Sequence, residues 1–209
     1  MKTKILEWFD RKTFYAVLFV TVFLAANILS FKFVSILWFT MPVGTLLYPI
    51  TFLVTDAYGE LYGLKEVRRI VIYGFIANLI MLACIGFGFI LPAADYWTGA
   101  EAFNAVFMFT PKVVAASLIA YLVSQMHDVY MFDLWKRKTK GKYLWLRNNA
   151  STVVSQLIDT LVLMGVLFLL GAVPVTALFA VVGSHYLVKI AIAFADTPFC
   201  YLMAWKGRK

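Results

Sequence analysis

Ionisable residues interrupt long apolar segments of this chain at Asp56, Asp159, Lys189 and Asp196. An ionisable side chain at membrane depth costs at least about 2.5–3.5 kcal/mol on insertion scales, so it persists where it faces a cavity or a partner. Asp159 falls near the middle of one apolar segment and Lys189 near the middle of another, which would allow the two to pair. Such a pair can bind a polar solute, take part in proton movement, or simply lock two helices together.

The polar residues that precede Asp159 recur with the spacing of one helix face. They lie at i, i+3, i+4 and i+7, and the set is Thr152, Ser155, Gln156 and Asp159. A polar stripe on an otherwise apolar helix cannot face lipid, so we expect it to face the interior of a bundle. For single polar residues such as Asn27, Asn78 and Ser117, the simpler interpretation is hydrogen bonding between helices.

The composition indicates that lipid rather than water surrounds these segments. Of the 209 residues 63% are hydrophobic and 14% are charged, and the mean hydropathy is +0.83. Soluble domains have roughly 45–50% apolar and about 25% charged residues. We therefore predict an all-α integral membrane protein with a single transmembrane domain over residues 1–209. Six spans of roughly 20 residues nearly use up the chain. They are predicted at 14–30, 43–58, 70–91, 106–125, 151–170 and 175–203, with a continuation of the first to Leu37 left open.

The basic residues predict an orientation. Sixteen of the 19 Lys and Arg residues fall in the two terminal segments and in the loops after the second and fourth spans. These regions lie on one side if there are six spans, and because basic loops stay in the cytoplasm we expect both termini there. The net charge of +8 then reflects topology and contact with anionic lipid, and we expect no binding to nucleic acid.

Two polar motifs resemble those of a known family. The first motif spans residues 48–63 (YPITFLVTDAYGELYG) and is similar to an aromatic-Pro-x-Thr…Asp…Glu-x-Tyr-Gly signature. The second spans residues 147–160 (RNNASTVVSQLIDT) and is similar to an Arg-Asn…Ser-Thr…Ser-Gln-x-x-Asp-Thr signature. Over about residues 14–203 the chain resembles the bacterial queuosine precursor transporters, also called the vitamin uptake transporter family.

The resemblance implies import of 7-cyano-7-deazaguanine and 7-aminomethyl-7-deazaguanine across a bacterial inner membrane. It also implies a six-helix fold similar to the substrate-binding subunits of energy-coupling-factor vitamin transporters. It implies no particular energising partner.

The chemistry of a deazaguanine matches the residue types in these motifs. Its adjacent N1–H and amino donors suit one carboxylate, its carbonyl oxygen suits an amide or lysine donor, and its flat face suits an aromatic ring. We expect Asp159 or Glu60 to accept from the donor edge and Gln156 to add a hydrogen bond, with Arg147 and Asn148 capping the inner mouth or the start of span five. The predicted substrate-binding residues are Asp159, Gln156, Glu60, Asp56, Lys189, Ser155, Asn149 and Tyr48.

Two other functional classes are weighed against a transporter. Asp56 and Asp159 could indicate an intramembrane aspartyl hydrolase, but the glycine-containing motifs of that class do not flank them. His127 and His185 lack the spacing of zinc-hydrolase ligands, so we expect no enzyme activity, no metal and no cofactor. The alternative function is a substrate-binding membrane subunit that needs a separate ATPase module. A homo-oligomer is left open.

Overall fold

Helices dominate the computed structural model, which describes residues 10–30, 32–36, 39–107, 110–169 and 175–204. Within these ranges there are six helices of 19 to 30 residues, one short helix and one β-hairpin. In chain order the elements are α1 (Arg11–Leu29), β1 (Phe33–Ile36), β2 (Phe39–Pro42), α2 (Gly44–Tyr62), α3 (Leu64–Ile90), α4 (Ala100–Phe107), α5 (Thr110–Lys138), α6 (Leu144–Leu169) and α7 (Val175–Ala204).

Four helices in the described part of the chain are long and apolar enough to cross a membrane. They are Arg11–Leu29, Leu64–Ile90, Leu144–Val166 and Val182–Ala204. The shortest has 19 residues, and its length of about 28 Å is close to the thickness of the bilayer's hydrocarbon core. A mostly helical fold with several potential membrane spans is thereby confirmed, and the count of six spans stays a prediction.

The helix α2 is the centre of the bundle. It contacts the five other long helices, and every residue from Thr51 to Gly59 is buried. Because protein rather than lipid covers this helix, it can carry Asp56 and still lie within the bundle. Its burial explains how α2 belongs to the fold without meeting the hydropathy of a lipid-facing span.

A two-stranded antiparallel hairpin of β1 and β2 follows α1, so the all-α prediction is wrong at this point. At the end of α1 the Ser30 hydroxyl donates a hydrogen bond to the Ala26 carbonyl at 2.7 Å. The Val43 N–H then donates to the Lys32 carbonyl at 2.8 Å and closes the hairpin. The β-branched and aromatic residues of these strands favour extended backbone over helix. Leu37 itself lies outside the described residues.

Two glycines allow the first three helices to turn back on one another. At Gly44 any Cβ atom would overlap the Ser30 hydroxyl and the Ala26 carbonyl, so only glycine permits this approach of α2 to α1. Gly63 links α2 to α3 with a φ of 85°, a backbone conformation that glycine adopts readily.

The helices α5 and α6 extend further than the predicted spans. α5 continues to Lys138 rather than ending near Gln125, and α6 begins at Leu144 rather than at Ser151. The prediction followed apolar runs, whereas these helices continue through polar and charged turns. These turns lie where α5 ends and α6 begins, among clustered Lys and Arg residues, and we call this end of the bundle the basic end. The extension matters because it places further polar side chains in helical register with the predicted site.

The surface of the bundle is apolar where the helices face outward. On α3, Ile72, Tyr73, Ile76 and Ile80 are 44–59% exposed, whereas Phe19 and Phe23 on the inner face of α1 are fully buried. A continuous exposed apolar face of this kind suits lipid and not water.

Candidate functional site

Polar side chains form a column along α2 inside the bundle. Tyr48, Asp56 and Glu60 follow one another on this helix, with about 12 Å and then about 6 Å of helix rise between them. Each lies beside ionisable groups from α5, α6 or α7. We name the three levels the Asp159–Lys189 cluster, the Asp56–Asp128 cluster and the Glu60–Arg147 cluster, the last being at the basic end.

The Asp159–Lys189 cluster is a buried ion pair with complete hydrogen bonding at its carboxylate. The Lys189 ammonium donates to Asp159 Oδ2 at 2.6 Å, and both side chains are almost fully buried. Asp159 Oδ1 accepts from the Tyr48 hydroxyl at 3.2 Å and from the Ser124 hydroxyl at 3.1 Å. The ammonium also lies 5.0 Å from the centre of the Tyr48 ring. The predicted pairing of Asp159 with Lys189 is thus confirmed, and α2, α5, α6 and α7 all contribute to it.

The Asp56–Asp128 cluster holds two acids that face each other. Asp56 on α2 and Asp128 on α5 are both buried, and their carboxyl groups lie close enough to interact electrostatically. Asp196 on α7 lies close enough to act on both electrostatically. The Asp128 carboxyl also faces hydroxyl groups of α6, which belong to Ser151, Thr152 and Ser155.

No salt bridge reaches either acid of this pair within the described residues. Arg147 acts on Asp56 at longer range. Its guanidinium donates hydrogen bonds to Glu60 and to the Lys142 carbonyl instead. An ionised carboxylate can only accept hydrogen bonds, and two such anions in contact repel each other. A proton on one of the two acids would remove this repulsion.

The Glu60–Arg147 cluster closes the basic end. Glu60 Oε2 lies 2.7 Å from the Arg147 guanidinium and 3.1 Å from the Lys136 ammonium. Arg147 is fully buried, donates to the Lys142 carbonyl at 3.1 Å, and lies 5.5 Å from the centre of the Phe132 ring. The carboxylate of Glu60 is thus engaged by two cations, and Arg147 holds the turn that precedes α6.

The amide of Gln156 has unused hydrogen-bonding capacity. The residue is fully buried, yet neither its side-chain oxygen nor its nitrogen has a hydrogen-bond partner within the described residues. Leaving a buried polar group unpaired costs about 1–3 kcal/mol. An unpaired buried amide beside two polar clusters is the feature expected of a group that pairs with a ligand.

Two further predicted residues lie nearer the basic end. The Ser155 hydroxyl donates to the Ser151 carbonyl at 2.8 Å, and it lies 2.9 Å from His127 Nδ1. The Asn149 amide donates to the Thr197 hydroxyl and to the Trp145 carbonyl, both at 2.8 Å, while its oxygen is unpaired. The structure thus distributes the predicted residues over three levels instead of gathering them around one carboxylate.

The sequence interpretation missed Asp128. The residue ends a Ser124-Gln125-x-x-Asp128 motif on α5, which repeats the Ser155-Gln156-x-x-Asp159 motif on α6. The contacts are reciprocal: Ser124 donates to Asp159, and Asp128 faces Ser155. This repeated five-residue pattern is the signal that would have revealed Asp128.

Other polar residues link helices away from the column. The Asn27 amide donates to Asn78 at 2.5 Å, and the Ser117 hydroxyl donates to Asn27 at 2.9 Å. This network joins α1, α3 and α5 and confirms the interpretation of these residues as interhelical hydrogen bonds. Among the described residues, no cluster of three His, Cys, Asp or Glu side chains could hold a metal ion.

Comparison with known proteins covers most of the chain. A family profile described as "Putative vitamin uptake transporter" matches residues 42–203. A "Probable queuosine precursor transporter" of Bacillus subtilis (strain 168) is 35% identical over 179 residues, which are 84% of this chain and 77% of the relative. A "Queuosine precursor transporter" of Escherichia coli (strain K12) is 31% identical over 128 residues, 61% of this chain and 55% of that protein. No solved structure matches the chain.

Proposed function

Because the chain belongs to the vitamin uptake transporter family, we propose that it imports queuosine precursors, namely 7-cyano-7-deazaguanine and 7-aminomethyl-7-deazaguanine. The two relatives above carry the name queuosine precursor transporter, which supports this substrate class. The observation that carries the proposal is the fully buried Gln156 amide, unpaired in the described structure and one helical turn from the Asp159–Lys189 cluster. A planar solute with several donors and acceptors would satisfy these groups.

The proposed substrate site combines Asp159, Lys189, Gln156 and Tyr48. The N1–H and amino donors of a deazaguanine would exchange with the hydroxyl donors that now occupy Asp159. The Lys189 ammonium would then donate to the base carbonyl oxygen, and the Tyr48 ring would stack on the base. In this arrangement Asp159 and Lys189 each keep a hydrogen-bond partner while the solute is bound, so neither buried charge is left without one.

The remaining predicted residues would line the route toward the basic end. Asp56 and Ser155 belong to the Asp56–Asp128 cluster, and Glu60 and Asn149 lie nearer the basic loops. We propose that solute leaves at this end, where opening requires Arg147 to release Glu60.

We also propose that the chain forms a single unit of six spans in a bacterial inner membrane, with both termini in the cytoplasm. The long helices α2 and α5 would be the second and fourth spans in chain order, in addition to the four apolar helices. The basic residues of both termini, of the start of α3 and of the stretch from the end of α5 to the start of α6 support this orientation.

Uptake by cells that cannot synthesise deazaguanines tests the proposal. Cells supplied with nanomolar 7-cyano-7-deazaguanine would form queuosine in tRNA when they express the chain, and not without it. Asp159→Asn would abolish this signal, while the matched control Asp95→Asn, at an exposed loop position, would preserve it. Absence of queuosine despite normal amounts of the protein in the membrane would refute the proposal. Uptake by vesicles that requires ATP and a second protein would indicate a binding subunit instead.

A further inference from the structure

We propose that the Asp56–Asp128 pair holds an exchangeable proton and that this proton is the ion coupled to solute transport. The inference rests on the proposed function, because it assigns the driving ion of that transport. Neither acid is needed for recognition of the solute at the Asp159–Lys189 cluster.

The first argument is the contact between the two acids. Both acids are buried close to each other, and no salt bridge reaches either of them within the described residues; both oxygens of Asp128 and Oδ2 of Asp56 are buried there without a hydrogen-bond partner. Two neighbouring buried carboxylates that lack a salt bridge repel each other when both are ionised, so the pair is suited to hold a proton. A shared proton between like acids is the chemistry of a site that can load and release it.

The second argument is a route to bulk water. A crevice between α2, α3 and α5 is lined at its buried end by Asp56 and at its partly exposed end by Asp133 and Lys136. Its free space is about that of one water molecule. On release, the O–H bond of the protonated acid would break and a water molecule entering the crevice would accept the proton, which leaves both carboxylates ionised.

The surrounding charges favour a change of structure after release. The ionisable groups around the pair, from neighbouring helices and from its own, are Asp196, Cys200, Glu60, Arg147, His127, Asp133 and Lys136. Lys136 is partly exposed, whereas Arg147 is a fully buried and permanent cation. Two buried carboxylates would attract it away from Glu60, so proton release at the pair would loosen the basic end.

The repeated motifs connect the proton site to the solute site. On α5, Ser124 and Asp128 are one helical turn apart; Ser124 donates to Asp159, and Asp128 faces Ser155 on α6. A shift of α5 along α6 that follows proton release would therefore break a hydrogen bond at the solute site as well. This shared pair of helices is a physical route for coupling.

Proteoliposomes that contain the purified chain test the inference with 7-cyano-7-deazaguanine as the probe. Exchange is measured without a gradient, and accumulation is measured with an inward gradient of one pH unit. With one proton per solute, that gradient supports up to about tenfold accumulation. We expect the wild type to approach this value. For Asp128→Asn we expect the solute concentration inside to rise no higher than about the concentration outside, while exchange is still measurable.

The controls separate the possible failures. Asp95→Asn, which replaces an exposed acid in the loop between α3 and α4, should accumulate solute as the wild type does. Asp128→Glu keeps a carboxyl group and should retain part of the accumulation.

Uphill accumulation by Asp128→Asn, or accumulation by the wild type that does not depend on the pH gradient, would overturn the proton site alone. A wild type that exchanges no 7-cyano-7-deazaguanine would overturn the proposed function. If Asp128→Asn does not fold, wild-type proton uptake measured during solute entry decides instead, and its absence would refute the inference.

Discussion

The two acid clusters differ although the same sequence motif supplies an acid to each. Asp159 is neutralised by Lys189 and has hydrogen bonds at both oxygens. Asp128 faces a second acid, Asp56, and hydroxyl groups of α6, and no salt bridge reaches it within the described residues. A Ser-Gln-x-x-Asp motif therefore fixes where the carboxyl group lies, and its neighbours decide which charge state the site can hold.

Those neighbours come from the same two helices, about two turns apart. On α2 Tyr48 serves the first cluster and Asp56 the second, and on α7 Lys189 serves the first and Asp196 the second. The second cluster thus has an acid on α2 where the first has a hydroxyl group, and an acid on α7 where the first has a base. We interpret the first cluster as a site for a polar solute and the second as a site for a proton.

The largest expected effect comes from breaking the ion pair. Lys189→Met leaves Asp159 buried without its cation, which should lower the free energy of unfolding by about 3–5 kcal/mol and abolish uptake. Thermal unfolding of the detergent-purified protein and queuosine formation in cells measure the two effects.

The double variant Asp159→Asn with Lys189→Met decides whether the pair only locks two helices. Removing both charges should restore most of the stability, since replacing a whole buried pair is often neutral. If the pair also lines the solute site, uptake stays lost in the double variant. Restored uptake would assign the pair a purely structural role.

The glutamines at the second position of the two motifs sharpen the comparison. Gln156→Leu removes an unpaired amide and should leave the melting temperature unchanged or higher, while solute affinity falls about tenfold. Gln125 donates to the Thr55 hydroxyl at 2.6 Å, so Gln125→Leu should cost about 1 kcal/mol of stability. Solute titrations and unfolding curves of both variants separate the cases, and equal loss of affinity in the two would contradict the assignment of the solute site to the Asp159–Lys189 cluster.

A smaller effect on the free energy of unfolding is expected when one acid of the Asp56–Asp128 pair is replaced by its amide. Asp128→Asn supplies an amide donor where the pair needs a shared proton, so the free energy of unfolding should change by less than about 1 kcal/mol. Asp159→Asn instead leaves Lys189 buried without a counter-charge and should cost several times more. Unfolding curves at one pH compare the two substitutions directly. Equal destabilisation would mean that Asp128 is neutralised by a base, as Asp159 is.

The sequence predicted the first cluster better than the second for a physical reason. Charges inside apolar runs are conspicuous, and Asp159 and Lys189 lie at matching depth in two such runs. Asp128 lies beyond the apolar run of α5, where polar residues resemble the end of a span. Only the continuation of α5 to Lys138, beside the covered helix α2, brings that carboxyl group into the interior. The β-hairpin after α1 escaped prediction because its residues continue the apolar run that begins in α1.

The smallest effect tests whether buried polarity alone, without charge, matters for transport. Asn27→Ala removes the amide that bonds to Asn78 and accepts from Ser117, in a network that joins α1, α3 and α5 away from both clusters. Interhelical hydrogen bonds in membranes average about 0.6 kcal/mol, so the melting temperature should fall slightly and uptake should persist. Queuosine formation and unfolding of this variant give the baseline for a structural polar link. Loss of uptake from Asn27→Ala at near-normal stability would mean that α1 moves during transport, and the contrast between solute site and proton site would then have to include this third network.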